Sequence, residues 1–574
     1  MVATPVKTKR LTVQVADLTA DTTAIRSLDW DRDRFDIEFG LQNGTTYNSY
    51  LIRGEKIALV DTSHEKFRQL YFDSLNGLIN PQEIDYLIIS HTEPDHSGLV
   101  RDLLQLAPNI TVVGSKVAIQ FLENLVHHPF QRQLVKNGDR LDLGNGHILE
   151  FVNAPNLHWP DTIFTYDHGS GILFTCDAFG MHYCSDDLYD EQLSAIEPDY
   201  RFYYECLMAP NARSVLAAMK RMEPLGNINL VANGHGPVLK YNVTELLTRY
   251  RDWSQAQTKA EKTVAVFYIA DYGYSDRLCQ SIAKGITKTG LAVETLDLKS
   301  ADPQEVKELA SSAVGIVIGT PPVSGINAQE ITGNLGTILA SVNPKQYIGM
   351  FESQGGDDES ILPLFNKFRE VGLTKAFDPI RSAETPNESL YQRCEEAGTD
   401  MGQLLTQEVK VKQRKSLDTD LDKAIGRISG GLYIITTKKG DRSGAMVASW
   451  VTQASFDPPG FTVAVAKDRA IESLLQVGDQ FILNILEEGN YQTLMKHFLK
   501  RFGPGEDRFA GVNTHTANNG SPILADALAY LECEVVSRME CADHWIVYNK
   551  VTDGRVSKPD SLTAVHHRKV GNYY

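Results

Sequence analysis

The segment Ser90-His91-Thr92-Glu93-Pro94-Asp95-His96-Ser97-Gly98 restricts what this chain can fold into more than any other feature. It follows the apolar run Tyr86-Leu-Ile-Ile89, which reads as a short buried strand. His91, Glu93, Asp95 and His96 place four metal-capable side chains within six residues. In a loop leaving a strand, a turn points alternate residues to one side, so these groups can converge. Three further candidates stand in matching contexts. His158 follows Leu149-Glu-Phe-Val152, Asp177 ends Gly171-Ile-Leu-Phe-Thr-Cys176, and His235 follows Ile228-Asn-Leu-Val-Ala232 within Gly234-His-Gly-Pro237. Open α/β sheets gather their sites outside the carboxyl ends of strands, so the chain should begin with such a fold.

The chain has 574 residues, enough for roughly three to four domains. Hydrophobic residues at 42% and charged residues at 22% are ordinary globular values, which argues against a coiled coil, a collagen-like repeat or wholesale disorder. A net charge of -17, with Lys and Arg scattered, would repel a phosphate backbone, so nucleic acid is not an expected partner. The first residues lack the apolar stretch of a secretory signal, and no later run reaches the length of a membrane span. The expectation is a cytoplasmic protein. Seven widely spaced cysteines without a CxxC pair exclude a disulfide scaffold and a cysteine-held zinc or iron–sulfur site. Cys176, Cys279 and Cys533 lie in apolar patterns and read as buried structural thiols.

Texture changes twice along the chain. Short apolar strands with intervening helices run to a helical stretch at Val243–Trp253. From Thr263-Val-Ala-Val-Phe-Tyr-Ile269 a strand–helix alternation begins, with helix 275–289, strand 293–298, helix 303–312, strands 314–318 and 347–352, and helix 360–371. Between Gln407 and Asp422 the composition turns charged, the pattern of a linker. Beyond it come β-rich segments such as Leu432–Thr437, Phe461–Val465, Phe481–Ile485 and Trp545–Tyr548, expected to form a mainly β barrel. The expected domains are 1–258, 259–410 and 411–574.

The motifs HTEPDH, HWPD, the Asp of TCDAFG and the His of GHGP resemble the metallo-β-lactamase-like domain of the flavodiiron proteins. Hydrolases of that superfamily carry His where this chain has Glu93, and the added carboxylate makes a harder site that suits iron, with zinc uptake left open. The resemblance implies that His91, Glu93 and His158 hold one iron, that Asp95 and His235 hold the other, and that Asp177 bridges them. His96 is then an optional ligand or a residue behind the ligands. The remaining histidines of the region, His182 among them, are read as surface or structural.

The middle region resembles flavodoxin, which implies an FMN held by Tyr272, Gly273, Tyr274 and Ser275 after the first strand, with Thr320, Pro321, Pro322, Gly355 and Gly356 beside the ring. The phosphate loop is atypical, since Ala270 and Asp271 lack hydroxyls. The C-terminal region resembles the split-barrel NAD(P)H:flavin oxidoreductases, with Ala448, Ser449, Trp450, Ser455 and Asn484 in the places that meet FMN or FAD. The implied fold is a metallo-β-lactamase-like αββα sandwich, a flavodoxin-like doubly wound α/β domain and a split-barrel flavin-reductase-like β domain.

The implied function is NAD(P)H-dependent reduction of O2 to water at a non-haem diiron centre, an electron sink in phototrophs. The alternatives are a nitric oxide reductase, a zinc hydrolase, or a partner-dependent electron-transfer subunit. The family also implies a head-to-tail homodimer, or a heterodimer with a paralogous subunit.

Overall fold

The computed structural model describes residues 10–32, 34–35, 39–269, 275–299, 301–320, 328–352, 361–381, 386–415 and 420–568. It divides into two compact units, residues 1–261 with 294–300, and residues 262–293 with 301–574.

In the first unit two sheets pack face to face. One has seven strands in the order 11–17, 22–29, 45–53, 57–60, 86–88, 111–114 and 131–134; the other has five, from 140–144 to 230–233. Side-chain alternation along the strands sorts residues to the two faces of each sheet. Ala24, Tyr50, Val60, Ile88 and Val113 face the second sheet and meet its Leu149, Phe151, Ile163 and Phe174. Their neighbours Ile25, Leu51, Leu59, Leu87 and Val112 turn outward to the helices Arg68–Leu78, Val100–Leu106 and Lys116–Val126. On the far side Val152, Phe164, Leu173 and Val231 pack on the helices Leu193–Tyr203, Ala212–Met222 and Val243–Thr258. The layers are therefore α, β, β, α, as the resemblance to the metallo-β-lactamase-like domain implies.

The hairpin Leu11–Asp17/Thr22–Asp29 was not legible in the sequence. Its second strand is wholly buried although it carries Thr22, Thr23, Arg26, Ser27 and Asp29, so no apolar periodicity marks it.

In the second unit the parallel strands Thr263–Tyr268, Gly315–Thr320 and Tyr347–Glu352 pair in register, flanked by Ser275–Thr287, Pro303–Ser312 and Ile361–Glu370. These match the expected elements to within two residues at each end, and a helix at Ala328–Ser341 adds to them. The charged stretch from Gln407 is not a linker as far as Lys415; it closes the 28-residue helix Glu388–Lys415. The expected boundary at 410 thus falls inside a helix. The last region forms a seven-stranded antiparallel sheet in the order 442–448, 433–439, 480–485, 529–541, 544–556, 459–466 and 451–456, curled around Ile435, Phe461, Val463, Phe481, Leu483 and Val547.

Candidate metal centre

Four strand ends of the first unit deliver the metal-capable residues. The loop after Tyr86–Ile88 begins with Ser90, whose N–H donates to buried Asp61 at 2.8 Å. His158 follows His147–Asn153, while Asp177 and His235 leave the parallel pair Ile172–Cys176 and Leu230–Asn233 at the same end. Glycine permits the closest approach: a Cβ on Gly234 would lie 2.7 Å from the His96 ring and 3.1 Å from the Cys176 backbone. Asp61, Asn156, Cys176 and Phe179 all adopt positive φ around these loops, the backbone strain that functional sites concentrate.

The side chains form two adjoining groups. In the first, Glu93 Oε2 lies 2.9 Å from His158 Nε2 and 3.3 Å from His91 Nε2, and Asp177 Oδ2 lies 3.4 and 3.5 Å from the same two nitrogens. In the second, Asp177 Oδ1 lies 3.0 Å from His96 Nε2 and 3.1 Å from His235 Nε2, with an Asp95 oxygen 3.5 Å from each ring. One carboxylate therefore gives an oxygen to each group. The six expected ligands come together, and His96 joins the second group.

Residues behind the ligands fix their direction. His91 Nδ1–H donates to Asp161 at 2.9 Å, which leaves Nε2 free to face a metal. His235 Nδ1–H donates to the Thr46 carbonyl at 2.6 Å with the same result. Asp161 also accepts from the N–H and hydroxyl of Thr92. It ends the HWPD motif, so its position was visible in the sequence even though its role was not. The Thr46 contact is a backbone carbonyl and carries no side-chain signature.

Burial would depress the imidazoles, yet the carboxylates prevail: His91 is held well above the usual range by Asp161, His96 is raised to about 9 by Asp95 and Asp177, and His158 to about 10 by Glu93. Glu93 and Asp177 are held well below the ordinary range by the histidines despite their burial. Protons therefore compete with a cation for the imidazole nitrogens, whereas Glu93 and Asp177 favour their charged form. Burial pushes the Cys176 thiol up, so sulfur stays neutral beside the centre.

His182, read from sequence as structural, packs against His235 with ring centroids 4.6 Å apart. His147 and His168 do serve structure, pairing with Asp167 and Glu150 at 2.8 Å each.

The donor set fits a pair of iron ions. Buried Asp95 Oδ1 and Asp177 Oδ2 have no hydrogen-bond partner, and the two groups offer imidazole nitrogens and carboxylate oxygens; the Cys176 thiol, near enough to His96 and Asp177 to join them, stays neutral. Three carboxylates would balance most of the charge of two divalent ions.

Of the expected flavin contacts, Tyr272, Gly273, Tyr274, Pro321, Pro322, Gly355 and Gly356 lie outside the described residues. Ser275 is buried at the first residue of its helix and Thr320 is the last of its strand. In the barrel, Ser449 is buried next to Ala448, and its hydroxyl has no partner. Trp450 beside it is exposed, 5.0 Å from the His544 ring and 5.1 Å from the Arg568 guanidinium. Gly430 closes this corner, since a Cβ there would lie 2.0 Å from the Ser449 carbonyl. An orphan hydroxyl, an aromatic face and a guanidinium suit a phosphorylated flavin. His544 and Arg568 were missed because they follow Ser449 by about a hundred residues and belong to no motif. Ser455 donates to the Pro458 carbonyl at 2.7 Å. Asn484 is fully buried, donating to the Ile434 carbonyl and Thr436 Oγ1 and accepting from Leu524 N–H; these bonds go into the barrel wall.

A metallo-β-lactamase-like sandwich bearing a two-metal carboxylate–histidine site, joined to a flavodoxin-like fold and a flavin-reductase-like barrel, defines an oxidoreductase of the flavodiiron class. Two family models match, the ODP family beta lactamase over residues 45–236 and the flavin reductase like domain over 425–573. Diflavin flavoprotein A 1 of Synechocystis sp. (strain ATCC 27184 / PCC 6803 / Kazusa) is 71% identical over 566 residues, 99% of this chain and 98% of that one. A Nostoc sp. (strain PCC 7120 / SAG 25.82 / UTEX 2576) protein of the same series is 69% identical over 576 residues, covering both chains in full. The solved metal-soaked Flv1 flavodiiron core from Synechocystis sp. PCC6803 is 38% identical, with a TM-score of 0.64 over 69% of this chain and 99% of that chain. The chain belongs to the diflavin flavoproteins, flavodiiron proteins with a C-terminal flavin reductase domain. Its cofactors are a non-haem diiron pair and FMN, and NAD(P)H as donor is consistent with the reductase-like domain.

Proposed function

We propose that this chain reduces O2 to water with electrons from NAD(P)H, as an electron sink in a phototroph's cytoplasm. The observation that carries the reading is the shared carboxylate: Asp177 gives one oxygen to the His91, Glu93 and His158 group and the other to the Asp95, His96 and His235 group. The first group would hold one iron and the second the other, with His96 as a further nitrogen donor. When bound, the irons supply one-electron redox chemistry at a small oxidant, and the flavins convert hydride into single electrons. The chain's own residues make the place for this. Asp161 and the Thr46 carbonyl keep His91 and His235 in the tautomer that offers Nε2. Trp159, 5.0 Å from His91, and Phe35, 3.9 Å from His182, set buried aromatic rings against the site. Ser449, Trp450 and Arg568 would seat the flavin of the barrel. No described helix is long and apolar enough to cross a membrane. We further propose domains near the expected boundaries, with the second placed after Lys415, and a head-to-tail dimer, of like chains or with a paralogous subunit, to bring a flavin to the partner's metal site.

The test is O2 uptake by the purified, iron- and FMN-loaded chain with NAD(P)H, with peroxide assayed in parallel. Water formation consumes about two NAD(P)H per O2, since it takes four electrons and each donor carries two. Peroxide as product, or NO consumed in place of O2, would refute the oxygen reading. No uptake at full loading would favour a partner-dependent subunit, and zinc without flavin would favour the hydrolase.

A further inference from the structure

The helix Glu388–Lys415 serves two neighbours at once. One stripe, Cys394, Ala397, Met401 and Leu405, is buried, and Met401 and Leu405 close on Gly315 of the flavodoxin-like sheet. Beside it the helix meets Ser275–Thr287 backbone to backbone. A Cβ on Gly285 would lie 2.0 Å from the Glu395 carbonyl, and one on Gly398 would lie 2.1 Å from the Ile282 carbonyl.

The opposite row, Glu388, Gln392, Glu396 and Asp400, is spaced by one turn and meets the barrel region. Glu388 pairs with Arg442 at 2.9 Å, Gln392 donates to the Ser443 carbonyl at 2.9 Å, and Glu396 takes Arg508 and the Gly505 N–H at 2.9 Å each. Asp400 lies 3.4 Å from Arg501, and Gln403 donates to the Asp468 carbonyl. At the centre is a buried charge cluster. Lys288, just beyond the end of Ser275–Thr287, pairs with Glu395 of the long helix and with Glu472 of the barrel at 2.8 Å. Lys284 joins Glu395 at 3.1 Å, and Arg538 closes on Glu472 while stacking on Trp545.

An interface made of many charged contacts and few apolar ones gains little net stability from its area. Each buried charge, however, is costly if its partner moves away, so such a contact specifies one orientation. A swinging domain would need the reverse, a small interface that can part and leave nothing buried unpaired.

We propose that the flavodoxin-like fold and the flavin-reductase-like barrel form a single rigid body, locked by the two-faced helix Glu388–Lys415 and the Lys288–Glu472 cluster. Electrons then pass between the modules across a fixed contact, not by the swing of a tethered domain. This rests on the reading of one flavin site in each module. With a flavin held in each module, NAD(P)H would supply a hydride at the barrel site and leave as NAD(P)+, and the fixed contact would set the path by which two electrons reach the second site, with protons released to solvent at the donor and taken up at the acceptor.

Hydrogen exchange of the full wild-type chain is the first test. Amides of the long helix should exchange in one cooperative step with both Thr263–Tyr268 and Ala529–Cys541; protection shared with only one module overturns the proposal. The second test is Lys288→Met and, as a milder variant, Glu396→Gln, under anaerobic NADPH reduction. Reduction of the barrel flavin should be unchanged, while electron arrival at the second flavin slows by about tenfold or more. An unchanged second phase in both variants overturns the proposal. If wild type shows inter-module transfer but no O2 uptake, the oxygen-reductase reading fails and the rigid-body proposal stands.

Discussion

Asp161→Asn changes one atom and should invert a tautomer. The carboxylate accepts from His91 Nδ1 at 2.9 Å and, through its other oxygen, from Thr92 N–H at 2.7 Å and the Thr92 hydroxyl. An amide has one acceptor oxygen, and the two Thr92 donors hold it. The NH2 then faces His91 Nδ1, which must become an acceptor, so the ring proton moves to Nε2, the nitrogen that faces Glu93 and Asp177. A protonated Nε2 cannot ligate. Loss of such a supporting group costs about 10–100-fold in metal affinity, equivalent to about 1.4–2.7 kcal/mol. Competition with a graded chelator, read by metal analysis, should show the loss in one of two sites. The His96–His235 group, whose orienting bond to Thr46 is untouched, should keep its metal. Two equivalents bound at wild-type affinity would refute the tautomer argument.

Asp177→Ala should abolish O2 reduction while NADPH-driven ferricyanide reduction persists; loss of both in an oxygen-electrode and absorbance assay would show that the sites are not separable. Ser449→Ala removes one neutral hydrogen bond, so flavin titration of the barrel by fluorescence should weaken by about 1 kcal/mol, roughly fivefold. Gly398→Ala drives a methyl into the Ile282 carbonyl and should destabilise the second unit by about 1–3 kcal/mol in calorimetry. Against the effect of burial, Lys284, Lys288 and Arg538 hold Glu395 and Glu472 below the ordinary value of 4.5. Their stabilisation is complete above pH 4.5 and fades as pH falls through the lowered folded values, so acid unfolding should steepen there and Lys288→Met should flatten the slope.

The strands that carry the ligands were legible because each is a short apolar run ended by a polar motif. Tyr86–Ile88 and Ile172–Cys176 begin or end within a residue of the sequence reading. The convergence of Asp177 with His235 could be expected from strand ends, but the hold of Asp161 on His91 spans 70 residues and follows no local rule. The strand Thr22–Asp29 escaped because its buried polar residues find partners far along the chain, as Arg26 does at the Asp187 carbonyl. The helix Glu388–Lys415 escaped for another reason. Its charged row looks like a solvated face, and only the barrel on that side shows that those charges are paired.

The two sheets of the first unit each contribute to the same centre. His91, Glu93, Asp95 and His96 ride on the seven-stranded layer, whereas His158, Asp177 and His235 ride on the five-stranded one. A metal pair there would fasten the open margin of the sandwich as a rivet does, and its binding energy would be folding energy for both layers. The apparent melting temperature of this unit should then climb with the logarithm of free iron concentration once that exceeds the dissociation constant, so a cell short of iron would be short of folded protein as well as of activity.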